Sequence, residues 1–435
     1  MYQLNDSDTD VTADLSYYLL SPTDASATMT GQGDIGGLAE AANAAVITVL
    51  VVICFVVCKS SFDCFKQWRV RLNVVVIGSG PIGLSAALIA ARSKRVGRIV
   101  VYEELSRAQL ISRPQQIALD SRAVAFLRKY HVDFDNMEGC WHKDRFYTRI
   151  GIFQEYMMSN LQRSEANVTI KLGTKFKEDI AASCGSPTCR TLVVIADGMH
   201  GQSCNLLGVS DEFVMESCKS FGAACSLERN DQPQVPSPEV QVNKLKLDLS
   251  GFGNEYRFPD LSRAAFYLKI FGTFRHRYIS LVCHKCDTHL VRQLRITPDT
   301  MIMRNIFQES FNSYRTKREP RISDSEAFNI RCNQRLGEVK LSYRRENVLF
   351  IQEENLVVTV EGDAVRSLNF NLGFEVNMGL RGLECMGEFI DDIVTADTQS
   401  ALVKAMSVKT RFSHKVNREV VQSRLYHTLG SPKSI

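Results

Sequence analysis

The stretch from Asn73 to Glu104, NVVVIGSGPIGLSAALIAARSKRVGRIVVYEE, decides the fold of this 435-residue chain. An apolar run is followed by a glycine-rich turn, an Ala-rich segment, a second apolar run and an acidic pair. A strand, a GxGxxG turn, a helix and a second strand in this order are the signature of a dinucleotide-binding βαβ unit. The stretch therefore predicts an α/β fold with a dinucleotide bound at the turn; the alternative is a glycine-rich turn without a ligand.

Five residues of this unit are candidate dinucleotide ligands or supports. Gly78 allows the tight turn after the first strand, and Gly80 carries no side chain that would keep a pyrophosphate from the backbone. Gly83 lets the helix pack close to the sheet. Pro81 stands where the helix begins, and a helix N-terminus offers N–H groups and a partial positive charge to phosphate oxygens. Glu103 lies where a carboxylate can accept hydrogen bonds from ribose hydroxyls.

Two later segments repeat the pattern of a strand that ends in a small acidic turn. In RTLVVIADGMHGQSCNLLGV, a buried strand precedes Asp197 and Gly198. In VVTVEGDAVRSLNFNLGFEVNMGLRGLECM, another strand precedes Gly362 and Asp363, and a loop and a helix follow. The chain thus carries three turns in the order GxGxxG, ADG and GD.

This order resembles the FAD-dependent monooxygenases of the p-hydroxybenzoate hydroxylase group. The resemblance covers roughly residues 72–395 and implies a Rossmann-like FAD-binding domain with an inserted mixed β-sheet substrate domain. It implies that the ADG turn, with Asp197 and Gly198, lies near the nucleotide. It also implies that Asp363, after Gly362, hydrogen-bonds the ribityl chain of FAD, and that the following loop passes the flavin ring.

Within this group, the chain is most similar in style to the flavoprotein monooxygenase domain of the MICAL family and to kynurenine monooxygenase. Ser112-Arg113 resembles the Ser-Arg of the MICAL family, and Gln154 stands where that family has a flavin-side glutamine. In the loop after the GD turn, Gly373 and Asn377 fall on family positions. The resemblance therefore implies that Arg113, Gln154, Gly373 and Asn377 belong to the FAD site.

The flavin loop departs from the family pattern at three positions. Phe370 and Asn371 stand near the usual proline, and Glu375 replaces the usual second glycine. A carboxylate there would crowd the flavin ring or repel a reduced, anionic flavin. Three functions stay open: an NAD(P)H-dependent monooxygenase that uses a flavin hydroperoxide, a flavin oxidase or dehydrogenase, and a catalytically degenerate FAD-binding membrane protein that binds or scaffolds.

The resemblance implies NAD(P)H as a transient electron donor, because the chain has one dinucleotide fingerprint and the group has no second Rossmann domain. It implies a small-molecule substrate or a protein side chain as the partner. No catalytic side chain is nominated, because the flavin carries the oxygen chemistry. The net charge is +4, and no basic run is interleaved with aromatic residues, so nucleic acid is not a predicted partner.

The N-terminal part predicts a membrane anchor. Residues 41–58, AANAAVITVLVVICFVVC, are uncharged and apolar, and their length is close to the ~20 residues of a membrane-spanning helix. Acidic residues precede this run, whereas Lys59, Lys66, Arg69 and Arg71 follow it. The positive-inside bias predicts a single-pass membrane protein that contacts lipid through this span, with its catalytic domain in the cytosol. The organelle stays open.

The predicted organisation has seven segments. They are an acidic, disordered tail (1–40), a transmembrane anchor (41–60), a basic linker (61–71), the first part of the FAD-binding domain (72–200), a substrate or roof domain (201–340), the return segment of the FAD-binding domain (341–395) and a C-terminal helical segment (396–435). Cys283, Cys286 and His289 have metal-like spacing, but structural zinc takes four ligands. No second pair with clear spacing is present, and no metal site is predicted.

Overall fold

A computed structural model of the chain describes residues 45–59, 72–185, 189–238, 240–245, 266–369, 373 and 375–423. The chain divides into two compact units, residues 1–65 and residues 66–435. The predictions for residues 1–40 and 61–71, and those for Phe370 and Asn371, lie outside the described residues. The first unit contributes one described helix, α1, over residues 45–59.

The predicted membrane anchor over residues 41–60 is wrong. Within the described residues, no helix combines the length and the apolar character that crossing a membrane requires. The described helix on this stretch covers residues 45–59. The single-pass topology, with lipid contact through this span and a cytosolic catalytic domain, therefore loses its basis.

The second unit contains the remaining described elements. Its strands are β1 (Leu72–Ile77), β2 (Val96–Tyr102), β3 (Gln116–Leu119), β4 (Cys140–His142), β5 (Arg145–Arg149), β6 (Val168–Lys171), β7 (Thr191–Ile195), β8 (Phe213–Glu228), β9 (Val240–Leu245), β10 (Phe266–Gly272), β11 (His276–His284), β12 (Arg331–Cys332), β13 (Gly337–Arg344), β14 (Val348–Ile351), β15 (Leu356–Val360) and β16 (Arg366–Leu368). Its helices are α2 (Pro81–Arg92), α3 (Arg107–Ile111), α4 (Ser121–Arg128), α5 (Ile150–Gln162), α6 (Glu178–Cys184), α7 (Ser203–Leu206), α8 (His289–Ile296), α9 (Thr300–Tyr314), α10 (Asp324–Ala327), α11 (Glu375–Leu383), α12 (Met386–Thr395) and α13 (Gln399–Gln422).

The nucleotide sheet has the strand order β14-β15-β7-β1-β2-β6. Its central pairs are parallel, and β14 alone among these strands runs antiparallel to its neighbour. Strands β7 and β15 are buried along their whole length. Parallel strands covered on both faces read as continuous runs of branched aliphatic residues, which is why these segments predict the sheet so clearly. The predicted α/β class is confirmed.

The second sheet has the order β16-β13-β8-β11-β10-β9, with β12 beside β8. The sequence predicted a mixed sheet here, but all described pairings of this sheet are antiparallel. Hairpins such as β10–β11 give this direction, because a short turn can join only antiparallel neighbours. Helices α8 and α9 cover one face with Leu290, Val291, Phe307 and Phe311. A third, small sheet has the order β3-β5-β4.

Candidate functional site

A cleft of about 610 Å³ lies at the carboxyl edge of the nucleotide sheet. The strand ends stay in register there, since the Gly78 amide donates to Tyr102 O and the Ala196 amide donates to Ile77 O, both at 2.8 Å. Ligands of open α/β sheets bind in the crevice outside the carboxyl ends of the strands. The cleft is therefore the place where this fold is built to hold a ligand.

The cleft brings the three glycine turns together. The sequence-predicted residues on its wall are Gly78, Gly80, Pro81, Glu103, Arg113, Asp197, Gly198, Gly362, Asp363, Gly373 and Glu375. Three other candidates, Gly83, Gln154 and Asn377, lie behind the wall. The wall also includes Lys175 and His200, which the sequence did not single out because neither belongs to a recognisable motif.

The fingerprint glycines have three different steric environments. A Cβ on Gly78, whose φ is +95°, would lie 2.4 Å from Ala196 O. A Cβ on Gly83 would lie 2.0 Å from Gly78 O, so helix α2 touches the turn itself. A Cβ on Gly80 would have no described atom within 4 Å, because this residue opens onto the cleft. Gly80 thus leaves free space where a ligand can meet the backbone.

Helix α2 presents its N-terminus to the cleft. Gly80 is the N-cap, Pro81 is the first helical residue, and no described side chain caps the helix. Gly80, Pro81 and Ile82 all line the cleft. Free N–H groups and the positive end of the helix dipole at such a position favour an anionic group such as a phosphate.

Glu103 is held by the turn between the first two glycines. Its Oε2 accepts from the Ser79 amide and from Ser79 Oγ, both at 2.8 Å, and its Oε1 accepts from the Leu105 amide at 2.9 Å. A carboxylate has about four acceptor positions, so these donors leave room for one further hydrogen bond. Glu103 is therefore pre-oriented at the cleft, and the sequence did not reveal the role of Ser79.

Gln154 lies beneath the same turn. Its Nε2 donates to Ser79 O at 2.8 Å, and the side chain is fully buried. Its Oε1 has no hydrogen-bond partner among the described residues. Gln154 thus supports the glycine turn, and the flavin-side position that the resemblance implies for it stays a prediction.

Asn377 also faces a neighbouring element. Its Nδ2 donates to Ala118 O at 2.8 Å, and its Oδ1 accepts from the Asp120 amide at 3.0 Å. These two bonds tie helix α11 to the end of strand β3. Asn377 therefore fixes the position of the helix that begins at the cleft.

Two aspartates face the cleft from its far side. Asp197 Oδ2 accepts from the Ser203 amide at 3.2 Å, while its Oδ1 is buried and has no hydrogen-bond partner among the described residues. Asp363 lies in a 3₁₀ turn, Gly362–Ala364, and its side chain is exposed to the cleft. The surrounding protein still desolvates this carboxyl and raises its pKa above the usual range. A hydroxyl donor from a ligand would relieve this penalty.

The mouth of the cleft carries charges of both signs. Arg113, Lys175 and His200 line it. The Arg113 amide donates to Leu110 O at 3.3 Å, whereas its guanidinium has no hydrogen-bond or ion-pair partner among the described residues. Glu375 is the first residue of α11, is half-buried and lines the cleft. A carboxylate at a helix N-terminus is favourable for the helix but offsets the positive end of its dipole.

Gly373 brings the second sheet close to the cleft. Its φ is +75°, and a Cβ on this residue would lie 2.7 Å from Phe271 Cε2 on strand β10. The adjacent Gly272 amide donates to Gln116 Oε1 at 2.9 Å. These contacts fix the edge of the second sheet against the loop that lines the cleft.

The metal-like spacing of Cys283, Cys286 and His289 does not produce a ligand cluster. Cys283 is buried on β11, and burial raises the pKa of its thiol to about 12. Within the described residues, no group of three or more His, Cys, Asp or Glu side chains is arranged to hold a metal ion. A thiol with a raised pKa is also a poor metal ligand, because the thiolate is the ligating form.

Several solved structures are similar to this chain over about four fifths of its length. p-Nitrophenol 4-monooxygenase PnpA from Pseudomonas putida DLL-E4 is 15% identical, with a TM-score of 0.43 over 82% of this chain and 91% of that chain. CtdE, solved in complex with FAD, is 11% identical, with a TM-score of 0.44 over 82% and 93%. The tetracycline destructase Tet(51) is 12% identical, with a TM-score of 0.42 over 81% and 90%.

One of these neighbours is named a monooxygenase, and another was solved in complex with FAD. Identities of 15% or less and TM-scores below 0.5 nevertheless transfer no activity, cofactor or residue role. No family model matches the chain, and no curated protein sequence matches it. The case for a function therefore rests on the cleft itself.

Proposed function

We propose that this chain is an FAD-dependent oxidoreductase of the monooxygenase type. One observation carries the proposal: a helix N-terminus and an unobstructed glycine, Gly80, face the same cleft as Glu103 and Asp363. These groups suit a molecule with a pyrophosphate at one point and hydroxyl groups at two others. FAD has this chemistry.

The residues present fit this cofactor. Gly80 and the N-terminus of α2 would hold the pyrophosphate, and Arg113 would add positive charge. Glu103, with one acceptor position left, would take a ribose hydroxyl. Asp363 would accept from the ribityl chain, where the resemblance also places it. Gly373, packed against Phe271, would present loop backbone to the flavin ring.

The remaining candidate residues would act indirectly, by positioning the residues and turns that contact the cofactor. Asp197 and Gly198 shape the adjacent turn, and Gly78 and Gly83 set the backbone geometry. Gln154 acts through Ser79, and Asn377 acts through β3. None of these side chains is required to move a proton in the proposed chemistry.

Bound FAD would supply electron transfer and oxygen activation, with NAD(P)H as the transient donor. The protein's part is to bind the cofactor, to orient it and to exclude water. The substrate would be a small molecule or a protein side chain that reaches the cleft between α11 and the second sheet. A flavin oxidase or dehydrogenase on the same scaffold is the alternative within enzymes.

The first prediction is optical. Purified full-length protein should be yellow, with flavin absorbance at about 450 nm. Addition of NADPH without oxygen should bleach this absorbance, and admission of air should restore it. A colourless protein that FAD cannot reconstitute would contradict the proposal. Bleaching by NADPH with product formation from a test substrate would separate a monooxygenase from an oxidase.

A second candidate function, FAD-dependent binding or scaffolding without turnover, is favoured by Glu375. This carboxylate lines the cleft at the position where the resembled family has a glycine. A flavin gains negative charge on reduction, and two unit charges about 5 Å apart at an effective dielectric of about 20 repel by about 3 kcal/mol. Half-exposure of the side chain lowers that value.

Removing the charge of Glu375 should therefore raise the flavin potential and speed reduction by NADPH. Glu375→Gln removes only the charge, and Glu375→Gly also removes the side chain, so the pair separates electrostatic from steric effects. Potentials and stopped-flow reduction rates provide the measurement. Rapid turnover by the unaltered protein would exclude the scaffolding function. FAD retention without any reaction with NADPH, in all three proteins, would instead favour it.

A further inference from the structure

The C-terminal helix α13 buries a polar seam. Lys409, Ser413 and Asn417 follow one another at intervals of four residues, so they lie on one face of the helix. Their exposed fractions are 1%, 3% and 2%. A buried lysine requires a partner, so this face must meet matching groups.

The first matching group is Glu361. Lys409 Nζ lies 2.6 Å from Glu361 Oε1 and donates to Gly382 O at 3.0 Å. Thr359 Oγ1 donates to the same carboxylate oxygen at 3.0 Å. Both charged side chains are 1% exposed, so water does not screen this pair.

The second matching group is Arg366. Its Nε donates to Asn417 Oδ1 at 2.8 Å, and its Nη2 donates to Ser413 Oγ at 2.6 Å. Its Nη1 reaches Met378 O on helix α11 at 3.4 Å. Arg366 therefore joins the last helix to the helix that begins at the cleft.

These two charged residues enclose the turn that carries Asp363. Glu361 directly precedes Gly362, and Arg366 opens strand β16 just after the turn. Gly382 makes the approach possible, since a Cβ there would lie 2.4 Å from Arg366 Nη1 and 3.2 Å from Glu361 Oε2. The polar seam thus contacts the chain on both sides of the Gly362–Ala364 turn, at Glu361 through Lys409 and at Arg366 through Ser413 and Asn417.

We propose that α13 is a positioning element of the cofactor site, in which the seam of Lys409, Ser413 and Asn417 fixes the turn that presents Asp363 to the dinucleotide. The inference rests on the proposed binding of FAD in the cleft. Because coupling between two sites is reciprocal, docking of α13 strengthens cofactor binding and cofactor binding stabilises α13 by the same factor. Lys409 and its neighbours act through Glu361 and Arg366 and do not touch the cofactor.

If the contact between α13 and the turn served only the stability of the fold, apolar side chains could replace the ion pair. Replacing a buried ion pair by apolar residues of similar size is often neutral or stabilising, whereas removing one partner is strongly destabilising. The pair Glu361–Lys409 can thus be tested separately from the fold. Glu361→Leu with Lys409→Met removes both charges and keeps an apolar contact, so this double variant should fold.

The experiment measures FAD affinity of deflavinated protein by the quenching of flavin fluorescence. Relative to the unaltered protein, Lys409→Met and the double variant should bind FAD about 5- to 150-fold more weakly, the usual range of coupling between sites. Lys409→Arg, which keeps the charge, should recover part of the affinity. Lys404→Met is the matched control, because Lys404 is exposed on the same helix. The FAD affinity of this variant should equal that of the unaltered protein.

Amide hydrogen exchange supplies the second measurement. In the unaltered protein, FAD should slow exchange over residues 399–422, and this effect should disappear in the double variant. A folded double variant with unchanged FAD affinity and unchanged protection would overturn the role of α13 while leaving FAD binding intact. If the unaltered protein does not bind FAD at all, the proposed function fails, and this inference fails with it.

Discussion

Gly80→Val is expected to abolish FAD retention in a protein that still folds. The backbone at Gly80 has φ −62° and ψ 172°, an extended conformation that valine adopts readily. The new Cβ would meet no described atom within 4 Å, so the fold has room for it. The side chain would instead fill the space that a pyrophosphate needs. We expect FAD affinity to fall at least about a hundredfold, or about 2.8 kcal/mol.

Two neighbouring glycines provide the contrast. Valine at Gly83 would place its Cβ 2.0 Å from Gly78 O, and valine at Gly78 would place its Cβ 2.4 Å from Ala196 O. Both changes collide with backbone, so they should lower the yield of folded protein and the unfolding temperature. Flavin absorbance after gel filtration, together with thermal unfolding, separates the two classes. A yellow Gly80→Val protein would show that no ligand approaches the turn at this point.

Glu319→Gln is expected to lower the free energy of unfolding by about 3–5 kcal/mol, the usual cost of leaving a buried charge without its partner. Arg277 donates to both carboxylate oxygens of Glu319 at 2.8 Å, and Arg229 Nη1 lies 3.7 Å from Oε1. All three side chains are 1% exposed or less. The variant would leave the buried Arg277 guanidinium beside a neutral amide, whereas Arg229 would keep Glu326 Oε1 at 3.1 Å.

Loss of the ion pair between Arg277 and Glu319 should also affect the cleft, through the backbone at Gly272. Arg277 Nη1 also donates to Gly272 O at 2.7 Å, and the Gly272 amide holds Gln116 beside the cleft. Urea unfolding followed by circular dichroism measures the loss of stability. Glu309→Gln is the control, because Glu309 is exposed on α9 and should change stability little. Equal stability of the Glu319 and Glu309 variants would contradict the structural role of this ion cluster.

The nucleotide sheet could be predicted from the sequence because its evidence is local. The GxGxxG spacing already predicts a separate role for each glycine: a tight turn at Gly78, an open backbone at Gly80 and close helix packing at Gly83. The structure shows the matching steric environments. Runs of branched aliphatic residues mark the strands because both faces of a parallel sheet are buried. The membrane prediction failed although it also used local evidence. An apolar composition over residues 41–58 does not by itself specify a membrane-spanning helix, and no described helix meets that requirement.

The direction of the second sheet could not be predicted from the sequence. Strands β10 and β11 are rich in aromatic and β-branched residues, but strand composition does not specify parallel or antiparallel pairing. The hydrogen bond from Gln154 Nε2 to Ser79 O could not be predicted either, because its partner lies 75 residues earlier in the chain. The flavin-side position that the resemblance implies for Gln154 stays a prediction.

The sequence by itself determined the parallel nucleotide sheet, the three glycine turns and the carboxylates Glu103 and Asp363. Only the tertiary structure showed that these turns share one cleft. Only the tertiary structure also showed that α13 contacts the third turn, through the ion pair of Lys409 with Glu361. The spacing of Lys409, Ser413 and Asn417 indicates one polar face, but a helix face does not specify what it packs against. That partner is a turn far away in the chain, and long-range contacts of this kind are set by the packing of the whole domain.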